Sequence, residues 1–160
     1  MTDYHVDMSD LIKGLNKSDA RIMEAIEKGL AQAGMQLLND ATLQIPATPL
    51  DEGTLRGSGS VFVGNKLVGT SPPINGKGEP NRQHQEPMIS MVKTATVGFN
   101  TPYAAWLHET PELDFGSTRE KRGLPRPTGT GAFYLSKKMA TNFRLYMQIV
   151  AHSIKRFLGK

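Results

Sequence analysis

The sequence predicts an α+β fold in which a small antiparallel or mixed β-sheet packs against two long helices. Two amphipathic patterns with a 3.6-residue period lie towards the two ends of the chain. Short segments rich in Val, Phe and Thr lie between them, separated by Gly and Pro. Because these segments do not alternate regularly with helical ones, an α+β arrangement is expected instead of a parallel α/β sheet.

The first long helix is predicted at residues 18–44. Its apolar residues recur three and four positions apart, and Pro46 ends it because the residue before a proline is forced out of the helical conformation. At 1.5 Å per residue this helix would be ~40 Å long, which leaves part of it available to another subunit. Gly29 and Gly34 indicate either the close approach of a second backbone or a locally weak helix.

The middle of the chain carries the strand and turn signals. A β-hairpin is predicted to turn at Gly64-Asn65, because β-branched and aromatic residues flank a dipeptide typical of tight turns. Residues 88–99 have the strongest strand pattern, and residues 103–109 follow as a short helical turn. The second long helix is predicted from Ser136 onward.

Two stretches rich in Gly and Pro are predicted to be extended loops that contact partners. We refer to residues 70–87 as the first interaction loop and to residues 110–131 as the second. The whole chain, 1–160, is interpreted as one domain, because its length and 38% hydrophobic content suit a single modest core. Residues 1–17 form an N-terminal arm, with a short amphipathic helix predicted at residues 8–15.

The composition excludes several classes of protein. The chain has no cysteine, which excludes disulfides, zinc–thiolate sites and thiol nucleophiles and fits assembly in a reducing cytoplasm. The N-terminal segment lacks the pattern of a signal peptide. No run of ~18 apolar residues occurs, so no membrane partner is expected.

The net charge of +4 is distributed unevenly. The residues from Ser117 onward include ten basic residues and one acidic residue. This part therefore carries a charge of +9, and the rest of the chain carries −5. Such asymmetry predicts either head-to-tail contacts between neighbouring subunits or contact with nucleic acid. The charge pattern leaves both interpretations open.

The polar residues show no pattern typical of catalysis or of metal binding. The four histidines, His5, His84, His108 and His152, lack ligand spacing and are expected to be at the surface or lightly buried. Ser58, between two glycines, lacks the strand–turn–helix context of a hydrolase nucleophile. We therefore predict no catalytic, metal-binding or cofactor-binding residue, and no enzymatic activity.

Three segments together resemble a family of tailed-bacteriophage proteins. Residues 48–58 read TPLDEGTLRGS, residues 97–109 read VGFNTPYAAWLHE, and residues 133–135 read FYL at the start of the last helix. In this order and spacing they are similar to the signatures of the tail-completion and head–tail joining (neck) minor structural proteins. Each motif is short, so the specificity lies in the set, which spans about the whole chain.

The resemblance implies a structural virion protein of the neck or tail. It implies a homo-oligomeric ring of six copies that completes the tail and joins it to the head-side connector, after assembly in the host cytoplasm. The implied partners are other copies of the chain, the tail tube and connector or adaptor proteins. The residues expected at interfaces are Arg56, Tyr103, Trp106, Glu109, Arg119, Lys121, Arg122 and Arg126.

Physical chemistry supports these interface expectations for three of the residues. Tyr103 and Trp106 each join a large apolar body to a polar tip, which suits an interface or a wet-edged core. Arg56 offers a planar guanidinium that fits a carboxylate of its own chain or of a neighbour.

The alternative function is sequence-independent DNA binding through the basic C-terminal region. Arg119, Lys121, Arg122 and Arg126 would contact phosphates of genomic DNA, in a ring lumen or elsewhere, without reading bases. No aromatic residues interleave with these charges as stacking on single strands requires. A hydrolase or metal-dependent nuclease is the weakest hypothesis, because no acidic cluster with ligand spacing is present.

Overall fold

The structure consists of three layers, a β-sheet, a long helix that covers it, and a second long helix packed on the first. The computed structural model describes residues 4–6, 20–83 and 93–158. Its strands are β1 (Tyr4–Val6), β2 (Gly59–Val63), β3 (Lys66–Thr70) and β4 (Ala95–Phe99), and its helices are α1 (Ala20–Leu43), α2 (Ala104–Glu109), α3 (Ser117–Lys121) and α4 (Ser136–Leu158). The predicted α+β class is confirmed.

The sheet has the strand order β1-β4-β2-β3, and every neighbouring pair is antiparallel. The central pair, β2 and β4, is buried along its whole length, with Val61 opposite Val97. β2 and β3 form the predicted hairpin, which turns at Gly64-Asn65 and has an irregularity next to Val61. Gly64 takes the positive φ of 57° that a two-residue turn of this kind requires.

Helix α1 lies between the sheet and α4, so two of its sides are buried. A Cβ added to Gly34 would lie 2.6 Å from Val61 Cγ1 in the sheet. A Cβ added to Gly29 would lie 2.9 Å from Val150 Cα in α4. The predicted close approach of a second backbone is therefore confirmed for Gly29, whereas Gly34 meets a side chain of β2, and both neighbouring elements belong to the same chain.

A buried carboxylate links α1 to α4. Asp40 is 2% exposed, and its Oδ2 accepts hydrogen bonds from the Tyr146 hydroxyl at 2.8 Å and from Asn142 Nδ2 at 3.2 Å. Its Oδ1 accepts from the side-chain amides of Gln36 and Gln44 at 2.8 and 2.6 Å. Burial and the hydrogen bond to Asp40 raise the pKa of Tyr146. Three donors on α1 and α4, and a fourth from Gln44 just past the end of α1, therefore satisfy one carboxylate inside the protein.

Most predicted elements are found with small shifts at their ends. Helix α1 ends at Leu43, close to the predicted residue 44, and α2 and α4 begin within one residue of their predicted positions. The predicted helix at residues 8–15, residues 84–87 of the first interaction loop and residues 88–92 of the predicted strand lie outside the described residues. In the described part, the strand predicted at residues 88–99 begins at Ala95. The second interaction loop contains α3, a short helix that its Gly and Pro content did not predict.

Candidate interaction surface

Residues 48–58, the first of the three motif segments, fold into a loop that we call the motif loop. Polar groups of the loop hold it in place. The backbone N–H and the hydroxyl of buried Thr48 both donate to the Ala41 carbonyl, at 2.7 and 2.8 Å. Arg56 donates from Nε and Nη2 to the Thr48 carbonyl, at 3.2 and 2.6 Å. Burial lowers the pKa of Arg56. The guanidinium thus binds a backbone carbonyl of its own loop, where the sequence had suggested a carboxylate.

The described part of the first interaction loop is folded against this segment. Ile74 and Lys77 each donate their N–H to the other's carbonyl at 2.9 Å, which closes a tight turn over residues 75–76. Gly78 has a φ of 101°, and a Cβ added there would lie 2.5 Å from Gly57 Cα. The two backbones therefore touch where neither residue has a side chain, and the loop is positioned by this contact.

Helix α2 presents two aromatic side chains to solvent and packs on the core through a buried histidine. Tyr103 is 41% exposed and Trp106 is 58% exposed. His108 is 1% exposed, and its Nε2 accepts a hydrogen bond of 3.3 Å from the N–H of Ser136. The Tyr134 ring meets His108 edge-on, with centroids 4.8 Å apart. α2 is therefore fixed from inside, and its aromatic residues are free to meet a partner.

The prediction that the histidines lie at the surface or are lightly buried is wrong for His108. Ala104 and His108 are four residues apart on α2, so they share the face that packs on the core. Burial lowers the pKa of His108. Glu109 points to solvent, so the two adjacent side chains do not form an acid/base pair. His152 is exposed as expected, His84 lies outside the described residues, and for His5 only the backbone, in β1, is described.

A groove of about 510 Å³ lies between the motif loop, α2 and the start of the second interaction loop. Its walls combine apolar side chains with three carboxylates and one guanidinium. The lining residues include Asp51, Glu52, Tyr103, Trp106, Asp114 and Arg122. Burial raises the pKa of Tyr103, and the nearby charges of Asp51 and Glu52 raise it further. We call this surface the aromatic groove.

The second interaction loop is tied to the motif loop by its arginines. Arg122 lies 2.7 Å from a Glu52 oxygen and 3.4 Å from an Asp51 oxygen. Arg119 donates to the backbone carbonyl of Asp51. Lys77 of the first interaction loop also pairs with Glu52, and this hydrogen bond is the main reason that the pKa of Glu52 is lowered. Both interaction loops therefore converge on Glu52, and the second loop also binds Asp51.

The third arginine of the basic run is paired within its own loop. Arg126 lies 2.7 Å from Asp114 and 3.0 Å from Glu120. These bonds raise the pKa of Arg126, and the Gly116 N–H, followed by Arg126, lowers the pKa of Asp114. Within the described residues, Lys121 has no carboxylate partner. Much of the positive charge that the sequence suggested for DNA is thus compensated inside the chain.

The structure brings together five of the eight residues predicted at interfaces. Tyr103, Trp106 and Arg122 line the aromatic groove, and Arg119 and Arg126 bind to groups at its margin. Arg56 lies inside the motif loop, whereas Glu109 and Lys121 point to solvent. The sequence analysis missed the role of Asp51, Glu52 and Asp114, since these acids meet their arginines only in the folded chain.

Among the residues that the structure describes, no group of three or more His, Asp or Glu side chains is arranged to hold a metal ion. In the same residues, no helix has the length and apolar character needed to cross a membrane. Comparison with protein families, curated proteins and solved structures found no match to this chain.

Proposed function

We propose that this chain is a structural subunit of a tailed-phage virion, which forms a ring at the neck or tail and joins the tail to the head-side connector. The proposal starts from the resemblance of three sequence segments to the tail-completion and neck proteins. Its contacts with like subunits and virion partners are made by the aromatic groove and the two interaction loops. No chemical step is assigned to it.

The observation that carries the proposal is that the three segments form one structural unit. The first and second segments face each other across the aromatic groove. The third segment supports the second, because the Tyr134 hydroxyl donates to the Ala104 carbonyl at 3.0 Å and the Phe133 N–H to the His108 carbonyl at 2.8 Å. Segments that span 88 positions, from Thr48 to Leu135, thus meet at one place on the subunit. Their contact supports the interpretation of the three segments as one motif, whose exposed part is Tyr103 and Trp106.

The proposal predicts that the chain is found in finished particles as a ring. Electron cryomicroscopy of particles from the genome that encodes the chain should show six copies at the neck or tail. Deletion of the second interaction loop should abolish the joining of heads to tails. Particles that lack the chain, or normal infectious particles from the deletion variant, would contradict the proposal.

Replacing Trp106 by Ala should prevent productive assembly without unfolding the subunit. Trp106 is 58% exposed, so its truncation removes little core packing. An aromatic residue that is buried at an interface commonly contributes about 2–4 kcal/mol to association, which corresponds to roughly a 100-fold loss. Infectious titre and thermal unfolding should be measured together. Trp106→Phe is the matched control, because it keeps an aromatic ring and should retain most of the titre.

Sequence-independent DNA binding is the alternative function, and the dependence of DNA affinity on salt concentration tests it. If Lys121, Arg122 and Arg126 each contact a phosphate, the slope of log affinity against log salt should be about −3. Because Arg122 and Arg126 already pair with carboxylates of the chain, we expect only a shallow slope of log affinity against log salt. Reversal of all three charges should leave that slope unchanged. Binding of random-sequence duplex DNA over a salt series measures this. A slope of about −3 that disappears when the three charges are reversed would favour DNA binding.

A further inference from the structure

The outer face of α4 carries positive charge that the rest of the described chain does not balance. The 23 residues of α4 include no acid. Lys137 and Arg144 are exposed, seven residues apart and therefore on one side of the helix. No carboxylate among the described residues pairs with either side chain. Phe143 and Leu145 flank Arg144 and are each 46% exposed. These four residues form the α4 basic patch.

A second patch, of opposite charge, lies on α2. Trp106 and Glu109 are three residues apart on the exposed side of the helix, and Glu112 is exposed just beyond its end. Neither acid has a cation partner in the described part of the chain, whereas the surface acids of the aromatic groove are paired. Trp106, 58% exposed, provides an apolar surface beside this charge. Tyr103, Trp106, Glu109 and Glu112 form the α2 acidic patch.

We propose that the α2 acidic patch of one copy binds the α4 basic patch of the next copy. The inference rests on the proposed ring and specifies which surfaces of the subunit meet in it. Arg144 and Lys137 would face Glu109 and Glu112, and Trp106 would contact Phe143 and Leu145. Since the two patches differ, the contact is heterologous, and repetition around a rotation axis closes a ring.

The composition of both patches favours a protein partner over DNA. A phosphate backbone matches cations but offers no apolar surface to the side chains on both sides of Arg144. Each patch instead combines charge with exposed aromatic or aliphatic groups, as interface centres do. A second copy supplies the complementary patch at equal stoichiometry. These features together favour self-association.

Charge reversal and mixing test the inference in the purified chain. Lys137→Glu/Arg144→Glu reverses the basic patch, and Glu109→Lys/Glu112→Lys reverses the acidic patch. Each variant alone should associate at least about tenfold more weakly than wild type by sedimentation velocity. An equimolar mixture should recover wild-type association, because each reversed patch then meets its complement. A chain that stays monomeric up to about 1 mM, or a mixture that does not recover, overturns the inference.

Matched controls separate the contact from general charge effects. Lys66 in β3 is exposed, lies outside both interaction loops and has no carboxylate partner among the described residues, so Lys66→Glu makes the same charge change as Lys137→Glu at another site. Lys66→Glu should leave association unchanged, and all variants should keep wild-type thermal unfolding. If Arg144→Glu abolishes binding of random-sequence duplex DNA but not association, the patch belongs to nucleic acid and the inference fails.

The outcome is independent of the virion experiment. Particles that contain a ring of the chain, although the reversals leave association unchanged, would preserve the proposed function and overturn the patch pairing. Reversals that act as expected in a chain absent from particles would overturn the proposed function and support the pairing.

Discussion

Replacing Asp40 by Ala is expected to destabilise the protein by about 3–5 kcal/mol. The substitution leaves the Tyr146 hydroxyl and the Asn142 amide without their acceptor between α1 and α4, and it removes the acceptor of the more exposed amides of Gln36 and Gln44. Burial lowers the pKa of Lys138, and the substitution also removes a negative charge that raises it. For a chain of this size the loss corresponds to a fall of roughly 10 °C in melting temperature. Chemical denaturation with tyrosine and tryptophan fluorescence measures it.

A double-mutant cycle tests whether the loss comes from the network. Tyr146→Phe removes one donor and should cost about 1–2 kcal/mol by itself. Combined with Asp40→Ala it should add little, because the hydroxyl has already lost its acceptor. Gln36→Ala, which removes a donor at the partly exposed edge, should cost less than either. Additive losses, or an Asp40→Ala variant within about 1 kcal/mol of wild type, would show that the network does not hold the helices together.

The fold was predictable wherever the signal is local. The apolar period of α1, its end before Pro46, and the turn at Gly64-Asn65 depend on residues that are close in sequence. Asp40 was not predicted as a core residue, because a charged side chain is expected at the surface. Its position three residues after Leu37 nevertheless continues the buried side of α1. Burial of a carboxylate depends on donors from α4, about a hundred residues away, which no local pattern reveals.

The candidate surface was predictable in its aromatic residues but not in its charges. Tyr103 and Trp106 share one side of a short helix, so the sequence suffices to place them together. The basic run looked unopposed, because Asp51 and Glu52 precede Arg122 by about seventy residues. The burial of His108 was likewise hidden, since the rings that surround it come from residues 133 and 134. Tertiary contacts therefore decide which polar residues of this chain remain available to a partner.

Replacing Gly78 by Ala should detach the first interaction loop from the motif loop, at a cost of about 3–5 kcal/mol. The φ of 101° is unfavourable for any residue with a side chain. The added Cβ would also lie 2.4 Å from the carbonyl carbon of Gly57, and backbone atoms cannot move aside as a flexible side chain can. Faster amide hydrogen exchange at Ile74 and Lys77, whose N–H groups close the turn, would report the detachment.

A substitution at Gly76 distinguishes backbone strain from steric crowding as the cause of the loss. Gly76 has a positive φ like Gly78, but the position of its added Cβ is not crowded. Its φ is 71°, and nothing lies within 4 Å of an added Cβ. Gly76→Ala should therefore cost only about 1–2 kcal/mol and speed exchange at Ile74 and Lys77 less than Gly78→Ala does. Equal effects of the two substitutions would mean that backbone strain alone matters and that the contact between Gly57 and Gly78 does not position the loop. Because that contact sets where Lys77 reaches Glu52, a detached loop should also weaken the docking of the virion partners that we propose for the aromatic groove.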